Sequence, residues 1–155
     1  MLLTDGGVYD NLGFQPATKY KTVFVSDGGM ATTAEASISR LQQMLRVLNL
    51  LDNQVRNRRR VELITSYEEG QRKGAYWRMN DNLEEESQKL EGSLKCPYIK
   101  TQKLSQVPTR LKSLDKTLQK RLVNFGYASC DIWMRRKYDA TLAPPQFFPY
   151  QDIGI

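Results

Sequence analysis

The sequence predicts an α/β domain, and three segments support that class. The run from Thr22 to Ser26 is short, β-branched and aromatic, which is the composition of a buried strand. Between Ile38 and Val55, apolar residues recur at steps of three and four, the spacing of one helix face. The segment from Gly74 to Met79 has the composition of a further strand. Strands and helices therefore alternate along the chain, as they do in α/β domains.

Size and composition limit what the chain can be. Its 155 residues match one domain or part of one, and the mixture of 40% hydrophobic and 26% charged residues is that of a globular protein. No stretch approaches the roughly 18 consecutive apolar residues of a membrane helix. The first residues, Met1 to Asp5, lack a basic region, so we expect no signal peptide here.

The residue types also exclude some chemistry. Histidine is absent, so the chain contains no Ser-His-Asp triad, no His-ligated metal and no His general base. Cys96 and Cys130 form no CxxC pair and are interpreted as reduced thiols. We therefore expect no metal and no cofactor, and a cytoplasmic location with peripheral membrane contact left open.

The first elements surround two glycine-rich turns. Leu2-Leu3-Thr4 is interpreted as the end of a strand, and the turn Asp5 to Gly13 follows it. The predicted strand Thr22 to Ser26 leads into a second turn, Asp27-Gly28-Gly29. Both turns therefore place an aspartate directly after a strand.

The strongest helix signal follows the second turn. Its apolar stripe, interpreted as core, consists of Ile38, Leu41, Leu45, Leu48, Leu51 and Val55. Thr33 or Ser37 is the expected cap, and the arginines from Arg56 to Arg60 suit a helix C-terminus. The segment Val61 to Thr65 is then predicted to be a strand.

The second half of the chain has weaker signals. Residues 80–106 are polar and predicted to be loop, and a second helical region is predicted from Asp115 to Tyr138. Gly126 is expected to break that region into two pieces. Residues 139–155 are expected to form an irregular, proline-rich tail, and residues 1–138 to form the domain segment itself.

The positive charge is uneven. The formal net charge is +6, and from Lys95 to Arg121 there are eight basic residues and one acid, Asp115. Such a stretch favours anionic lipid headgroups or nucleic acid, or it is simply a solvated face. No nucleic-acid-binding module accompanies it, so we expect no nucleic acid partner.

A resemblance emerges from the first turn and several later segments. Leu3-Thr4-Asp5-Gly6-Gly7-Val8-Tyr9-Asp10-Asn11-Leu12-Gly13 resembles the Asp-Gly-Gly/Ala motif of patatin-like phospholipases of the bacterial type. Further similar segments follow in the same order: Val25 to Gly29, Asp52 to Arg56, Gly74 to Trp77, Pro108 to Leu111 and Gly126 to Ala128. The resemblance covers about residues 2 to 138.

The resemblance implies a lipid acyl hydrolase with a Ser-Asp dyad in a three-layer α/β/α fold. Asp5 matches the dyad aspartate, whose expected role is to accept the serine proton and later return it. Gly6 and Gly7 match the glycines of the motif. The implied substrate is a lipid or another acyl ester, and contact with an anionic membrane is a further expectation.

The physical chemistry of the turn is compatible with that role. An aspartate at the end of a buried strand lies at the edge of the sheet where α/β ligand sites form, and two glycines allow close approach of a substrate. Asp27 satisfies the same pattern, but only Asp5 is followed by the rest of the motif, so Asp27 is interpreted as structural. Asp10 and Asn11 are expected to hold the first turn by side-chain bonds to the backbone.

The nucleophile of the implied dyad is missing from this sequence. No serine lies in a Gly-x-Ser-x-Gly elbow, and no glycine-rich oxyanion loop precedes one. A carboxylate base without its nucleophile cannot perform acyl transfer. We therefore expect a C-terminal fragment that needs the N-terminal half of the domain as its partner. The alternative is a non-catalytic α/β remnant, or a binding module whose basic surface contacts an acidic partner.

Overall fold

A computed structural model of the chain describes residues 13–28, 39–108 and 112–155, which form helices and one small sheet. In chain order the elements are α1 (Phe14–Ala17), β1 (Thr22–Asp27), α2 (Arg40–Glu68), β2 (Lys73–Arg78), α3 (Leu83–Gln88), α4 (Tyr98–Ser105) and α5 (Lys116–Lys137). The mixed α/β class predicted from the sequence is confirmed. Within these ranges no helix is both long and apolar enough to cross a membrane.

The sheet pairs β1 with β2 in parallel. The Lys73 amide donates to the Lys21 carbonyl at 2.8 Å, and the Met79 amide donates to the Asp27 carbonyl at 3.2 Å. In both bonds the donor lies 52 positions after the acceptor, so one register holds from end to end. Both strands predicted from the sequence, Thr22 to Ser26 and Gly74 to Met79, are confirmed to within a residue.

The chain divides into two compact units, and the division falls inside both strands, after Val23 and after Lys73. In the first unit, hydrogen bonds to backbone carbonyls connect the C-terminal end of α2 and the loop after it to the start of β1 and the loop before it. The Tyr67 hydroxyl donates to the Val23 carbonyl at 2.7 Å, and the Arg72 guanidinium donates to the Thr18 carbonyl at 2.7 Å. These bonds fix the C-terminal end of α2 beside the start of β1.

Helix α2 is longer than the sequence predicted. It continues through the arginines 56–60 to Glu68, so the strand predicted from Val61 to Thr65 is wrong. Arginine is a good helix former, and Arg56 pairs with Asp52 one turn earlier at 2.9 Å. Beyond the arginines, Leu63 is buried, which gives the last turns their own contact with the unit.

The apolar stripe on α2 is not core where the structure describes it. Leu48, Leu51 and Val55 are each about half exposed, so the prediction that this face is buried is wrong for them. Ile38, the side chains of Leu41 and Leu45, and the expected caps Thr33 and Ser37 lie outside the described residues. Among the described side chains of α2, the buried ones lie in its C-terminal turns, at Leu63 and Ser66.

The second unit has a helical core. Its buried members are Leu83, Cys96, Leu104, Phe125, Ala128, Ile132 and Ile155. They bring α3, α4 and α5 together, so the loop predicted for residues 80–106 is wrong. The two short helices exist because each buries one leucine in this core, Leu83 on α3 and Leu104 on α4.

Helix α5 confirms the helical region predicted from Asp115 to Tyr138. The Asp115 carboxylate caps it by accepting from the amides of Thr117 at 2.9 Å and Leu118 at 3.1 Å. The break expected at Gly126 is wrong, because the helix continues through it. Glycine lowers helix propensity without forbidding a helix, and buried neighbours on both sides hold this one.

Residues 139–155 contain turns and are held by one buried side chain. The Asn124 amide donates to the carbonyls of Tyr150 at 2.9 Å and Gly154 at 2.7 Å, and its oxygen accepts from the Tyr150 amide at 2.9 Å. Ile155 then fills the core with 4% of its surface exposed. This segment is therefore part of the packed unit despite its irregular backbone.

Candidate functional site

The predicted dyad residue cannot be placed in the fold. Asp5, Gly6 and Gly7 lie outside the described residues, as do the strand end Leu2-Leu3-Thr4 and the supporting Asp10 and Asn11. The assignment of Asp5 as a proton acceptor therefore stays a prediction from the sequence.

The rival aspartate, Asp27, is the last residue of β1. One oxygen of its carboxylate accepts a hydrogen bond from the Tyr76 hydroxyl at 2.9 Å, and its backbone carbonyl accepts from the Met79 amide at 3.2 Å. Both partners belong to β2 or the residue directly after it. Asp27 thus joins the two strands at the edge of the sheet.

The bonding of Asp27 suits a structural role better than a catalytic one. A carboxylate that accepts from a fixed tyrosine has one oxygen occupied before any substrate arrives. The following Gly28 is not in a left-handed conformation, and a side chain there would meet no atom of the described residues within 4 Å.

Several serine hydroxyls are engaged locally. Three donate to the carbonyl three residues earlier at 2.7–2.8 Å: Ser66 to Leu63, Ser87 to Glu84 and Ser105 to Gln102. A hydroxyl bound to its own helix backbone is not oriented by a base, which a serine nucleophile requires. Ser129 differs, because it is fully buried and its Oγ has no hydrogen-bond partner among the described residues. Burial keeps it from any substrate.

A buried ion pair organises the second unit. Arg135, 5% exposed, binds both carboxylate oxygens of Asp131, with Nε–Oδ1 at 2.9 Å and NH2–Oδ2 at 2.7 Å. It also donates to the Glu91 carbonyl at 2.9 Å and to the Ser93 hydroxyl at 2.8 Å. Every charged oxygen here is matched by a donor, so the cluster stabilises the loop before α4 rather than offering a reactive group.

The two free cysteines are not activated. Burial, with a smaller contribution from the Asp131 carboxylate, raises the pKa of Cys96 to about 12. The same two causes raise the pKa of Cys130. Both residues are therefore thiols at neutral pH, whereas nucleophilic cysteines need the thiolate.

The basic stretch from Lys95 to Arg121 spans α4 and the start of α5. Lys120 pairs with Asp152 at 3.0 Å and lies 5.3 Å from the ring centre of Tyr150. Arg110 lies outside the described residues. The lysines of α4 have a different setting, since they are exposed beside an exposed isoleucine, Ile99.

No family model, curated protein or solved structure matches the chain. Among the described residues, no group of three or more metal-ligating side chains comes together.

Two side-chain contacts in the structure were not predicted from the sequence. The Tyr76 hydroxyl is the partner of Asp27, which the pattern of the strand Gly74 to Met79 does not indicate. The ion pair of Arg135 was also missed, although Asp131 lies one turn before it, the spacing of helix salt bridges. The bond between Tyr76 and Asp27 joins residues that are far apart in the sequence, so no local pattern encodes it.

Proposed function

We propose that the chain is the C-terminal part of a patatin-like lipid acyl hydrolase in which Asp5 is the dyad base. The observation that carries this proposal is the motif Leu3 to Gly13 with its ordered companions, of which Gly74 to Trp77 lies in β2. In the complete enzyme the chain would form part of a three-layer α/β/α domain. Its partner would be the N-terminal half, and its substrate a lipid or acyl ester.

Two structural observations support the proposal. The parallel pair β1–β2, with helix α2 between the strands in sequence, is a connection typical of layered α/β domains. Asp27, the other aspartate before a glycine pair, is bonded by Tyr76. That leaves Asp5 as the better candidate for a carboxylate available to a serine.

The chemistry assigned to Asp5 is general-base catalysis. Its carboxylate accepts the proton of a serine hydroxyl as the oxygen attacks the ester carbonyl, and it returns that proton to the leaving alcohol. The serine comes from a Gly-x-Ser-x-Gly elbow in the N-terminal half. Gly6 and Gly7 carry no side chains, so the acyl group can approach the backbone closely.

The test joins the chain to a preceding segment that carries a Gly-x-Ser-x-Gly elbow and measures hydrolysis of p-nitrophenyl acyl esters. We expect activity in the joined protein and none above background in the chain alone. Asp5→Asn should lower kcat at least about a hundredfold, because the amide is nearly the same size but cannot take the proton. Circular dichroism reports whether the variant is folded.

Asp27→Asn is the matched control, since Asp27 also precedes two glycines. The asparagine oxygen can still accept from Tyr76, so most activity should remain. If Asp27→Asn abolishes hydrolysis in a folded protein while Asp5→Asn does not, the base is misassigned. A joined protein that folds but hydrolyses no ester would favour the non-catalytic binding module.

A further inference from the structure

Helix α4 exposes an aliphatic side chain on its outer face. Ile99 is 71% exposed, and Tyr98 beside it is 37% exposed. On the inner face, Thr101 and Leu104 are almost completely buried. A helix advances about 100° per residue, so Ile99 lies roughly opposite Thr101. The isoleucine therefore points away from the core that holds the helix.

The segment that carries Ile99 is rich in basic residues, although the Glu84 carboxylate binds the Tyr98 amide beside it. Residues 92–114 contain five basic residues and no acidic one. Lys95, Lys100 and Lys103 are exposed, and in the described part of the chain none of them forms an ion pair. Lys103 is one turn after Ile99, on the same face, and Lys100 is its neighbour. We call Lys95, Ile99, Lys100 and Lys103 the α4 patch.

Three members of the α4 patch lie on helix α4, Lys95 lies three residues before it, and the helix is held in place by contacts with its unit. The Tyr98 amide at the start of α4 donates to the Glu84 carboxylate at 2.9 Å, and the Thr101 hydroxyl donates to the Tyr98 carbonyl at 2.9 Å. Leu104 packs in the same core as Cys96. Because both ends of the helix are held, the exposure of Ile99 is a property of the folded unit.

We propose that the α4 patch binds the surface of an anionic lipid bilayer. The lysines are attracted to acidic headgroups, while Ile99 inserts among the upper acyl carbons and Tyr98 lies at the interface. Nucleic acid would satisfy the lysines, but an exposed aliphatic side chain adds nothing to a phosphate contact. Exposed lysines next to one protruding isoleucine, without an ion pair among the described residues, are therefore better explained by a membrane.

The test is co-sedimentation of the full chain with vesicles of phosphatidylcholine alone or mixed with phosphatidylserine. We expect binding to the mixed vesicles only, weakened by salt. Each lysine near a charged surface contributes about a fivefold factor, so the triple variant K95Q/K100Q/K103Q should lose roughly 100-fold in partition coefficient. Ile99→Ser should weaken binding severalfold even at low salt, because it removes the inserted group.

Two controls separate the α4 patch from general charge. The triple variant K19Q/K21Q/K137Q changes exposed lysines elsewhere and also lowers the net charge of +6 by three. Phe147→Ser changes another exposed apolar residue, 59% exposed. Both controls should bind nearly as the parent chain does. Equal losses in the test and control variants would overturn the proposal. It would also be overturned if RNA removes the chain from the vesicles while Ile99→Ser leaves vesicle binding unaffected. This readout needs no catalytic group, so it is independent of Asp5.

Discussion

At the scale of single residues, the structure separates side chains that can react from side chains that stabilise. Cys96 is buried and Tyr67 is half-buried, and burial raises the pKa of each to about 12. Each therefore keeps its proton in the folded chain at a pH where the unfolded chain has lost it. The same physical effect that makes Cys96 unreactive makes the fold sensitive to alkali.

We expect the free energy of unfolding to fall as the pH rises above about 9, the ordinary pKa of the Cys96 thiol. The folded pKa is raised, so this contribution is fully present below 9 and lost toward 12, with a slope of at most about 1.4 kcal/mol per pH unit. Cys96→Ala should flatten that slope. Urea unfolding of parent and variant at about pH 8 and about pH 10 measures it.

Tyr67→Phe is the control for the thiol. The Tyr67 contribution is lost mainly above the ordinary tyrosine pKa of 10.0, so Tyr67→Phe should change the slope between those two pH values much less than Cys96→Ala does. If Cys96→Ala and the parent chain lose stability in parallel over that interval, the thiol is not responsible.

The candidate site shows where sequence reasoning at this scale stops. The two Asp-Gly-Gly turns are nearly equivalent as local patterns, and the structural role of Asp27 became visible only through Tyr76, 49 positions away. Asp5 is favoured as the dyad base only by the residues that follow it in the sequence, and it lies outside the described residues. A role that depends on a distant partner cannot be recovered from local spacing.

At the scale of elements, local patterns predicted β1, β2 and α5, but not the extent of α2 or the two short helices. The strands β1 and β2 and helix α5 follow the sequence prediction because their patterns are local. Helices α3 and α4 were missed because they are short, polar and stabilised by one buried leucine each. The end of α2 was misplaced because arginines that suit a helix terminus also suit its interior.

Two glycines allow a matched test of the element boundaries. Gly126 lies within α5, and a methyl group there would meet no atom of the described residues within 4 Å, so Gly126→Ala should stabilise by about 0.5–1 kcal/mol. Gly92 has φ +70, and a Cβ there would lie 2.8 Å from the Pro144 Cβ. Gly92→Ala should therefore destabilise by more than about 1 kcal/mol. Thermal unfolding followed by circular dichroism measures both.

The two substitutions have opposite expected signs, so a common effect on the unfolded chain cannot produce both. If Gly126→Ala lowers the Tm while Gly92→Ala leaves it unchanged, α5 is interrupted as the sequence predicted.

At the scale of the whole molecule, the helical core is continuous in sequence. All of its buried members lie between Leu83 and Ile155, and the Asn124 bonds to Tyr150 and Gly154 close the same region. The segment 80–155 therefore contains all the buried members of this core, and Met79 directly before it packs against them. We expect it to remain helical when expressed alone and to unfold cooperatively, followed by the fluorescence of Trp133, its single tryptophan.

Substitutions at one buried and one exposed isoleucine test whether the isolated segment forms the same core as the full chain. Ile132 is fully buried and Ile99 is exposed, so Ile132→Val should cost about 0.5–1.5 kcal/mol and Ile99→Val almost nothing. The same values should appear in the segment and in the full chain. A segment with no helical signal, or with equal sensitivity at both positions, would show that the core depends on the preceding residues.

The register of the sheet has a consequence for how the chain folds. Each bond between β1 and β2 closes a loop of about 50 residues, whereas Asn124 and Tyr150 are 26 positions apart. Closing a longer loop costs more chain entropy, and folding slows as native contacts become more distant in sequence. We expect the helical core to nucleate early and the strands to pair late, so the edge that carries Asp27 is assembled last. During synthesis or refolding, β1 would remain unpaired after the helical core has already formed.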